Sequence, residues 1–288
     1  MRTANYLRNM DALGDMLKAI EASHELSLLP NVPIYARLDG KAFSKFTRGM
    51  AKPYDHHLTE LMAKVTATLV AETGATLGYT QSDEISLYWD NARTQADMMF
   101  CGRRDKFLGE LAGLATASFM RGAMEHFPER LDKLPRFDCR VFNCSREDAA
   151  NFFVWRQLDA EKNSVTLAAS EHFSHNSLQG VPSKERRERL FEVGDPWEAY
   201  PDFFKRGLFV AKFEREVPVS AMDVPEHIKP TLPSVVARNL VLAFTRAPLQ
   251  RLDCPTEVFN LDEQAYPDIT FVTEFVPHDQ RQAPEAVV

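Results

Sequence analysis

Residues 32–40 read Val-Pro-Ile-Tyr-Ala-Arg-Leu-Asp-Gly, an apolar and strand-like run that ends in an acid, Asp39, and a glycine. Farther along the chain, residues 75–80 and 85–89 are two short strand-like runs that flank a second acid, Asp83. This spacing predicts a tight hairpin, although its turn lacks the usual Asn-Gly or Asp-Gly pair. If the first strand lies beside the hairpin, Asp39 and Asp83 converge at one edge of a sheet. Carboxylates in apolar surroundings are costly unless they are paired or hold a metal ion.

Helical periodicity and strand-like runs alternate through most of the chain. Apolar residues recur at helical spacing in five segments, which predict helices over residues 5–28, 55–72, 103–127, 145–173 and 183–191. Further strands are predicted over residues 137–143, 206–216 and 235–245. This order is typical of an α+β fold in which helices pack on one face of an antiparallel sheet, and polymerase palm domains share it.

The composition narrows the class of protein. With 288 residues, 44% hydrophobic and 26% charged, the chain has room for one large globular domain or two ordinary ones. No apolar run approaches the roughly 18 residues that span a bilayer, and the N-terminus does not resemble a signal peptide. No membrane partner is therefore expected. The four cysteines form no Cys-x-x-Cys pair, so we expect a reducing, cytoplasmic setting and neither a disulfide framework nor a zinc cluster.

The charge is distributed unevenly along the chain. The net charge of −7 argues by itself against a nucleic-acid partner, but residues 251–288 alone contribute −6. Within the nearly neutral remainder, residues 37–52 contain five cations and a single acid. Because local patches decide phosphate binding more than the total does, a nucleic-acid partner stays open.

Two acids beside a basic loop suit the chemistry of nucleotidyl transfer. That reaction needs neutralisation of a triphosphate and a lowered pKa of the attacking hydroxyl, and two Mg²⁺ ions about 3.5–4 Å apart supply both. Magnesium prefers oxygen ligands and keeps waters, so Asp39, Asp83 and the Gly40 carbonyl would suffice. Taken singly, each acidic motif is more often a structural turn. From the pattern alone, a metal site and two structural turns are about equally supported.

Three segments resemble one known family. They are residues 37–47 (Arg-Leu-Asp-Gly-Lys-Ala-Phe-Ser-Lys-Phe-Thr), 51–55 (Ala-Lys-Pro-Tyr-Asp) and 79–86 (Tyr-Thr-Gln-Ser-Asp-Glu-Ile-Ser), and residues 103–107 and 152–163 match it too. The family is that of the tRNA-His guanylyltransferases and their bacterial, archaeal and phage relatives, the guanylyltransferase-like proteins. The resemblance covers roughly residues 5–215. It implies a palm-like catalytic domain with a helical, tRNA-contacting part at 1–215, followed by a C-terminal extension of open role at 216–288.

The resemblance implies nucleotide addition in the 3′-to-5′ direction at the 5′ end of a tRNA. ATP would activate the 5′ end, GTP would supply the added nucleotide, two Mg²⁺ ions would assist, and the protein would be a homo-oligomer, either a dimer or a tetramer. The implied catalytic residues are Asp39, Asp83 and, less directly, Glu84, with Asp39, the Gly40 carbonyl and Asp83 as metal ligands. The implied nucleotide-binding residues are Gly40, Lys41, Ala42, Phe43, Ser44, Lys45, Ser82, Lys52, Arg103 and Lys106. The implied tRNA-binding residues are Arg156, Asp159 and Asn163.

The chain departs from the family pattern at a position linked to tRNA handling. Glu161 stands where eukaryotic members carry a His, which removes a potential cation and base. We therefore expect template-dependent repair of tRNA 5′ ends. A guanylyltransferase specific for tRNA-His, a palm-type nucleotide cyclase and a catalytically silent tRNA-binding protein stay open as alternatives.

Two further patterns allow a functional and a structural interpretation. Phe152, Phe153 and Trp155 are able to stack on RNA bases, but we expect at least two of them in the core. His172 and His175 have the spacing of a zinc-ligand pair, but without a Cys partner we expect surface or capping roles.

Overall fold

The computed structural model of the chain describes residues 10–90, 94–218, 227, 229, 233–261 and 269–273. Within these residues the strands are β1 (Ile34–Lys41), β2 (Leu77–Gln81), β3 (Glu84–Trp89), β4 (Arg136–Asn143), β5 (Leu208–Pro218), β6 (Val235–Phe244) and β7 (Ile269–Thr273). The helices are α1 (Met10–Ser23), α2 (Phe43–Phe46), α3 (His56–Thr73), α4 (Arg104–His126), α5 (Arg146–His172), α6 (His175–Leu178), α7 (Ser183–Glu192) and α8 (Asp202–Arg206).

All seven strands join one antiparallel sheet in the order β4-β1-β3-β2-β5-β6-β7. The α+β class, the hairpin β2-β3 and its position beside β1 confirm the predictions from sequence. No helix of the described residues is long and apolar enough to cross a membrane.

Helices cover both faces of the sheet, whereas the sequence pattern predicted only one. Successive strand residues point to opposite faces, and each face of β1 carries buried apolar side chains. Ala36 and Leu38 pack in the core formed with α3 and α4, while Tyr35 packs in a second core that includes Phe153 of α5. Because apolar side chains lie on both faces of β1, both faces require a cover.

Local signals set the ends of the helices next to the site. The Asp55 carboxylate accepts the Leu58 N–H at the start of α3, and Gly74 ends that helix in the left-handed region at φ 70°. The Ser145 hydroxyl accepts the Asp148 N–H at the start of α5. These ends agree with the predicted helices within one or two residues.

The first helix is shorter than predicted, because α1 ends at Ser23 and not at residue 28. Leu28 is buried in the core instead, and its N–H donates to the carbonyl of Gly102. The Asn143 side chain holds the following turn by accepting the Leu29 N–H and donating to the Leu29 carbonyl. These long-range contacts outweigh the local helical pattern.

The last three strands extend the same sheet. The predicted boundary at 215/216 falls inside β5, and β6 and β7 continue the sheet from there. The ring of Phe259 also stacks on Tyr88 of β3 at 4.1 Å between centroids. The tail at 277–288, which the sequence predicts to be frayed, lies outside the described residues.

Candidate functional site

Three acids lie in one row across the sheet. Asp39 of β1 pairs in register with Glu84 of β3 on one side and with Asp138 of β4 on the other. Side-chain alternation places Asp39 on the same face as Tyr35, which packs against α5. Sequence reasoning missed Asp138, because only the pairing of β4 with β1 brings it into this row.

Asp39 and Asp83 converge as predicted. A β carbon placed at Gly40 would lie 2.7 Å from Asp83 Oδ2 and 2.5 Å from the Phe43 ring, so glycine is required for the carboxylate of Asp83 to approach β1. Burial raises the pKa of Asp83, and the charge of Asp39 raises it further, while the hydroxyl of Ser82, at 3.2 Å from Asp83 Oδ1, lowers it. Two like charges are thus held together in a partly buried place.

The arrangement of Asp39 and Asp83 fits a divalent cation. In the described part of the chain neither acid pairs with a Lys or Arg, whereas the adjacent Asp138 pairs with Lys41 and Glu84 with Arg156. Among the described residues no three His, Cys, Asp or Glu side chains are grouped to hold an ion. Asp39 and Asp83 therefore supply two carboxylates without a cationic side-chain partner among the described residues, and an ion held there would take its other ligands from backbone carbonyls, water and substrate phosphates. Magnesium is usually bound in this way.

Glu84, one of the three acids in the row, forms an ion pair with Arg156 of α5. Arg156 Nε lies 2.5 Å from Glu84 Oε1, although the two atoms do not meet hydrogen-bond geometry, and Arg156 Nη2 donates to Asp159 Oδ2 at 3.0 Å. Burial raises the pKa of Glu84 to about 7, against the opposing charge of Arg156. This ion pair connects the β2-β3 hairpin to α5.

Only 7% of the Arg156 side chain is exposed, whereas a contact with RNA requires an exposed side chain. Arg156 is buried because it pairs with Glu84, and the sequence does not predict this pair. Asn163 is exposed and donates to Asp159 at 3.2 Å. The tRNA contacts of Asp159 and Asn163 stay predictions.

The loop after β1 exposes its polar groups because two phenylalanines anchor it. Ala42, at φ 69°, turns the chain into α2. The rings of Phe43 and Phe46 are buried on Phe119 of α4 at 4.9 and 5.3 Å. From Lys41, the last residue of β1, to Gly49 the exposed residues are Lys41, Ser44, Lys45, Arg48 and Gly49.

Arg130 fixes the other end of this loop, and sequence reasoning missed it. From the 3₁₀ turn Pro128–Lys133, Arg130 Nη1 donates to the carbonyl oxygens of Phe46 at 2.8 Å and Arg48 at 2.7 Å. No local pattern indicates this contact, because the partners lie more than 80 residues apart in the chain.

Arg103 and Lys106 lie at the opposite end of the sheet. The start of α4 packs there, with the ring of Phe107 at 5.3 Å from Trp89, the residue that pairs with Ile34. Asp39 is five residues farther along β1, about 16 Å away at 3.3 Å per residue. The structure thus does not bring these two predicted nucleotide-binding residues to the carboxylates.

Two other features do not join the site either. Lys52, also predicted to bind nucleotide, pairs with Glu171 at 3.6 Å. A cavity of about 510 Å³ opens beside Ile34 and Trp89, at the end of β1 opposite to Asp39, and so lies away from the pair Asp39 and Asp83.

Glu161 is enclosed by an ion-pair cluster. Its Oε1 accepts a hydrogen bond from Arg206 Nε at 2.8 Å, and Arg187 lies 3.9 Å from its Oε2 while stacking on the Trp197 ring. The position joins α5, α7 and α8. The hypothesis that Glu161 itself sets RNA choice by contact is therefore not supported by its placement.

The histidine pair does not form a zinc site. His172 Nε2 lies 2.6 Å from Asp195 Oδ2, and His175 begins α6 at the surface. His172 thus serves to connect the end of α5 to the loop after α7.

The sheet order, the two helical layers and the paired acids of β1 and the β2-β3 hairpin define a palm-like α+β protein. The family model described as Thg1, tRNAHis guanylyltransferase, matches residues 14–145. The tRNA(His) guanylyltransferase of Schizosaccharomyces pombe is 30% identical over an alignment of 195 positions, which covers 62% of this chain and 73% of that one.

Solved structures agree with this match. A bacterial tRNA(His) guanylyltransferase (Thg1)-like protein in complex with ATP is 34% identical, with a TM-score of 0.64 over 69% of this chain and 88% of that one. The corresponding complex with GTP is 31% identical, with a TM-score of 0.59 over 70% and 86% of the two chains. The chain belongs to the tRNA(His) guanylyltransferase family, and the palm-like fold predicted from sequence is confirmed.

Proposed function

We propose that this protein adds nucleotides in the 3′-to-5′ direction to the 5′ end of a tRNA. The observation that carries the proposal is the convergence of Asp39 and Asp83 against Gly40, beside an exposed loop with Lys41 and Lys45. The similar proteins named above are tRNA(His) guanylyltransferases, and the bacterial structures hold ATP or GTP. Nucleoside triphosphates therefore fit as substrates here.

Asp39, Asp83 and the Gly40 carbonyl would hold Mg²⁺. When bound, the ions neutralise phosphate charge and lower the pKa of an attacking hydroxyl. The side chains of Lys41 and Lys45 would contact the triphosphate from the loop that Phe43 anchors. Asp138 keeps Lys41 at the edge of the site through the ion pair at 3.4 Å.

The reaction would proceed in two transfers. The 5′-monophosphate of the tRNA attacks the α-phosphate of ATP, pyrophosphate leaves, and the RNA end becomes adenylylated. The 3′-hydroxyl of GTP then attacks the activated 5′-phosphate, and AMP leaves. An RNA that already carries a 5′-triphosphate skips the first transfer.

We further propose template-dependent repair as the physiological form of this activity. At the position where eukaryotic relatives carry a His, the Glu161 carboxylate is engaged by Arg206 and presents neither a cation nor a base to RNA. Pairing with the opposite strand is then sufficient to select the incoming nucleotide.

The test uses purified protein, Mg²⁺, labelled GTP and tRNAs that lack the 5′ nucleotide. The RNAs carry either a 5′-monophosphate, with and without ATP, or a 5′-triphosphate. We expect an RNA that is one nucleotide longer, with an ATP requirement only for the monophosphate. A cyclic product from GTP alone would identify a cyclase, and RNA binding without any product would identify a silent binding protein.

A panel of truncated tRNAs separates repair from tRNA-His modification. Repair predicts extension of several tRNAs, each with the nucleotide that pairs with its template base. Strict dependence on tRNA-His, with G added whatever base stands opposite, would contradict it.

A further inference from the structure

The three aromatic residues Phe152, Phe153 and Trp155 of α5 differ in how deeply they are buried. Phe153 is fully buried, and Phe152 stacks on Tyr35 with 4.7 Å between ring centroids. Trp155 differs from both, because 47% of its surface stays exposed. A single exposed apolar side chain is common on protein surfaces and by itself needs no explanation.

The surroundings of Trp155 are cationic. The guanidinium of Arg156 lies 4.5 Å from the indole centroid and that of Arg37 lies 5.5 Å from it. Arg156 is neutralised by Glu84 and Asp159. Over the described ranges, by contrast, Arg37 makes no ion pair within 4 Å, and neither does the exposed Arg140, its register partner on β4. The face beside Trp155 thus carries two arginines without an ion pair within 4 Å among the residues that the structure describes, and the nearest effect of the Arg37 charge is that it lowers the pKa of Glu84.

The distance to the carboxylates is short. Arg37 precedes Asp39 by two residues on the same face of β1, which is about 6.6 Å along a strand. With the 5.5 Å between the Arg37 guanidinium and the ring added, the indole lies roughly 12 Å from the acidic row. Since stacked nucleotides rise about 3.4 Å each, an RNA whose 5′-phosphate reacts at Asp39 and Asp83 reaches the ring within about four nucleotides.

We propose that Trp155 and Arg37 form a stacking platform for a nucleobase near the 5′ end of the RNA that is extended, an inference that rests on the proposed function. The exposed indole supplies the stacking surface, and Arg37 supplies charge for the adjoining phosphate. Aromatic stacking accepts any base, because every base has a π face. The platform therefore holds the RNA end in place without reading its sequence, as templated addition requires.

The kinetic test compares Trp155→Ala with Trp155→Phe. We expect Trp155→Ala to raise the KM for RNA at least tenfold, within the range of a lost stacking contact, with little change in the KM for GTP. Trp155→Phe keeps an aromatic face and recovers most of the loss. The matched control is Phe191→Ala, which removes an aromatic side chain that is 72% exposed on α7. An unchanged KM for RNA in Trp155→Ala, or an equal rise in Phe191→Ala, would overturn the platform.

A binding test does not depend on turnover. Of the three tryptophans, Trp197 is 3% exposed and Trp89 is only partly exposed, so RNA that stacks on Trp155 should quench its emission selectively. We expect titration with a truncated tRNA to quench the wild-type fluorescence and Trp155→Phe to lose that quenching. Quenching that survives in Trp155→Phe, or that GTP alone produces in full, would contradict an RNA base at this position.

The two tests distinguish failure of the inference from failure of the proposed function. If the wild type extends RNA but Trp155→Ala has a normal KM and the RNA causes no quenching, only the platform is wrong. If the wild type extends no RNA yet quenching depends on Trp155, the RNA platform stands and the transfer activity is wrong.

Discussion

Gly40 and Asp83 touch across the junction between β1 and the hairpin, so closely that no β carbon fits at position 40. The contact lies between two residues that we propose as metal ligands, and it limits how near the carboxylates of Asp39 and Asp83 come to each other. A change at this position alters the geometry of the site without removing any charged group.

We expect Gly40→Ala to lower transfer by about 100-fold, since a misplacement of about 1 Å at a reacting centre has costs of that order. The added methyl group must displace either the Asp83 carboxylate or the Phe43 ring. Gly109→Ala on α4 is the control, because nothing lies within 4 Å of a β carbon there, and it should leave the rate unchanged. Steady-state rates with a 5′-triphosphate tRNA measure the effect, and full activity of Gly40→Ala would show that the close approach is dispensable.

Removal of either acid charge should abolish transfer and leave the fold intact. Asp39→Asn and Asp83→Asn each take away one of two adjacent like charges, so the free energy of unfolding should stay level or rise. Binding of Mn²⁺, followed by its paramagnetic signal, should weaken in both variants. Asp105→Asn, in the first turn of α4 and remote from Asp39 and Asp83, is the charge-matched control. Near-normal turnover in either site variant would refute the two-carboxylate assignment.

Arg130→Ala should raise the KM for GTP by roughly tenfold. It removes two hydrogen bonds to the carbonyls of Phe46 and Arg48, each with a net contribution on the order of 1 kcal/mol, and so loosens the loop that carries Lys45. Arg121→Ala, an exposed arginine on α4, is the control. Kinetics with GTP and with RNA as the varied substrate provide the measurement. If only the KM for RNA rises, or if neither KM changes, the loop keeps its shape without Arg130.

Glu161→Gln should lower the free energy of unfolding and leave the preference among RNA substrates unchanged. Loss of the carboxylate leaves Arg206 and Arg187 without their shared acid, and a broken, largely enclosed ion pair costs about 3–5 kcal/mol at the upper end. The free energy of unfolding, measured in urea, should fall. The ratio of kcat/KM between two truncated tRNAs should stay constant, and a shift in that ratio would restore Glu161 as a specificity residue.

The contact of Asp195 with Tyr200 and His172 should give a pH-dependent contribution to stability. The Tyr200 hydroxyl first, and then His172, lower the pKa of Asp195 below its ordinary 3.8. Because the pKa of Asp195 is lower in the folded state, its carboxylate stabilises the fold at pH values above the pKa of the unfolded state. This stabilisation is lost as the pH falls through the pKa of the folded state. The wild type should therefore exceed Asp195→Asn in unfolding free energy at pH 6, and the difference should shrink below pH 4. A constant difference from pH 3 to pH 6 would exclude this linkage.

The sequence predicts the elements that a local pattern specifies. β1, the β2-β3 hairpin, α3 and α5 follow from alternation, helical spacing and capping at Asp55 and Ser145, and the meeting of Asp39 with Asp83 follows from the adjacency of β1 and the hairpin. The comparison with relatives confirms the family that the sequence motifs predict, but it shows no contact between side chains.

What the sequence does not predict depends on contacts between distant segments. Asp138 joins the acidic row through the register of β4, and Arg130 reaches back to Phe46. Arg156 is buried through its ion pair with Glu84, and Glu161 is largely enclosed through its ion pair with Arg206. In each case the residue type indicates a charge but not the partner, and the partner decides whether that charge meets a substrate or stays inside.

The continuous sheet has a consequence for folding and descent. The family model ends at residue 145, yet β2 pairs with β5 and Tyr88 stacks on Phe259. Strands and rings beyond residue 145 thus complete the sheet and the core around the β2-β3 hairpin. We expect a chain trimmed at residue 145 to unfold with lower cooperativity than the full chain, although it keeps both Asp39 and Asp83, and urea unfolding measures this.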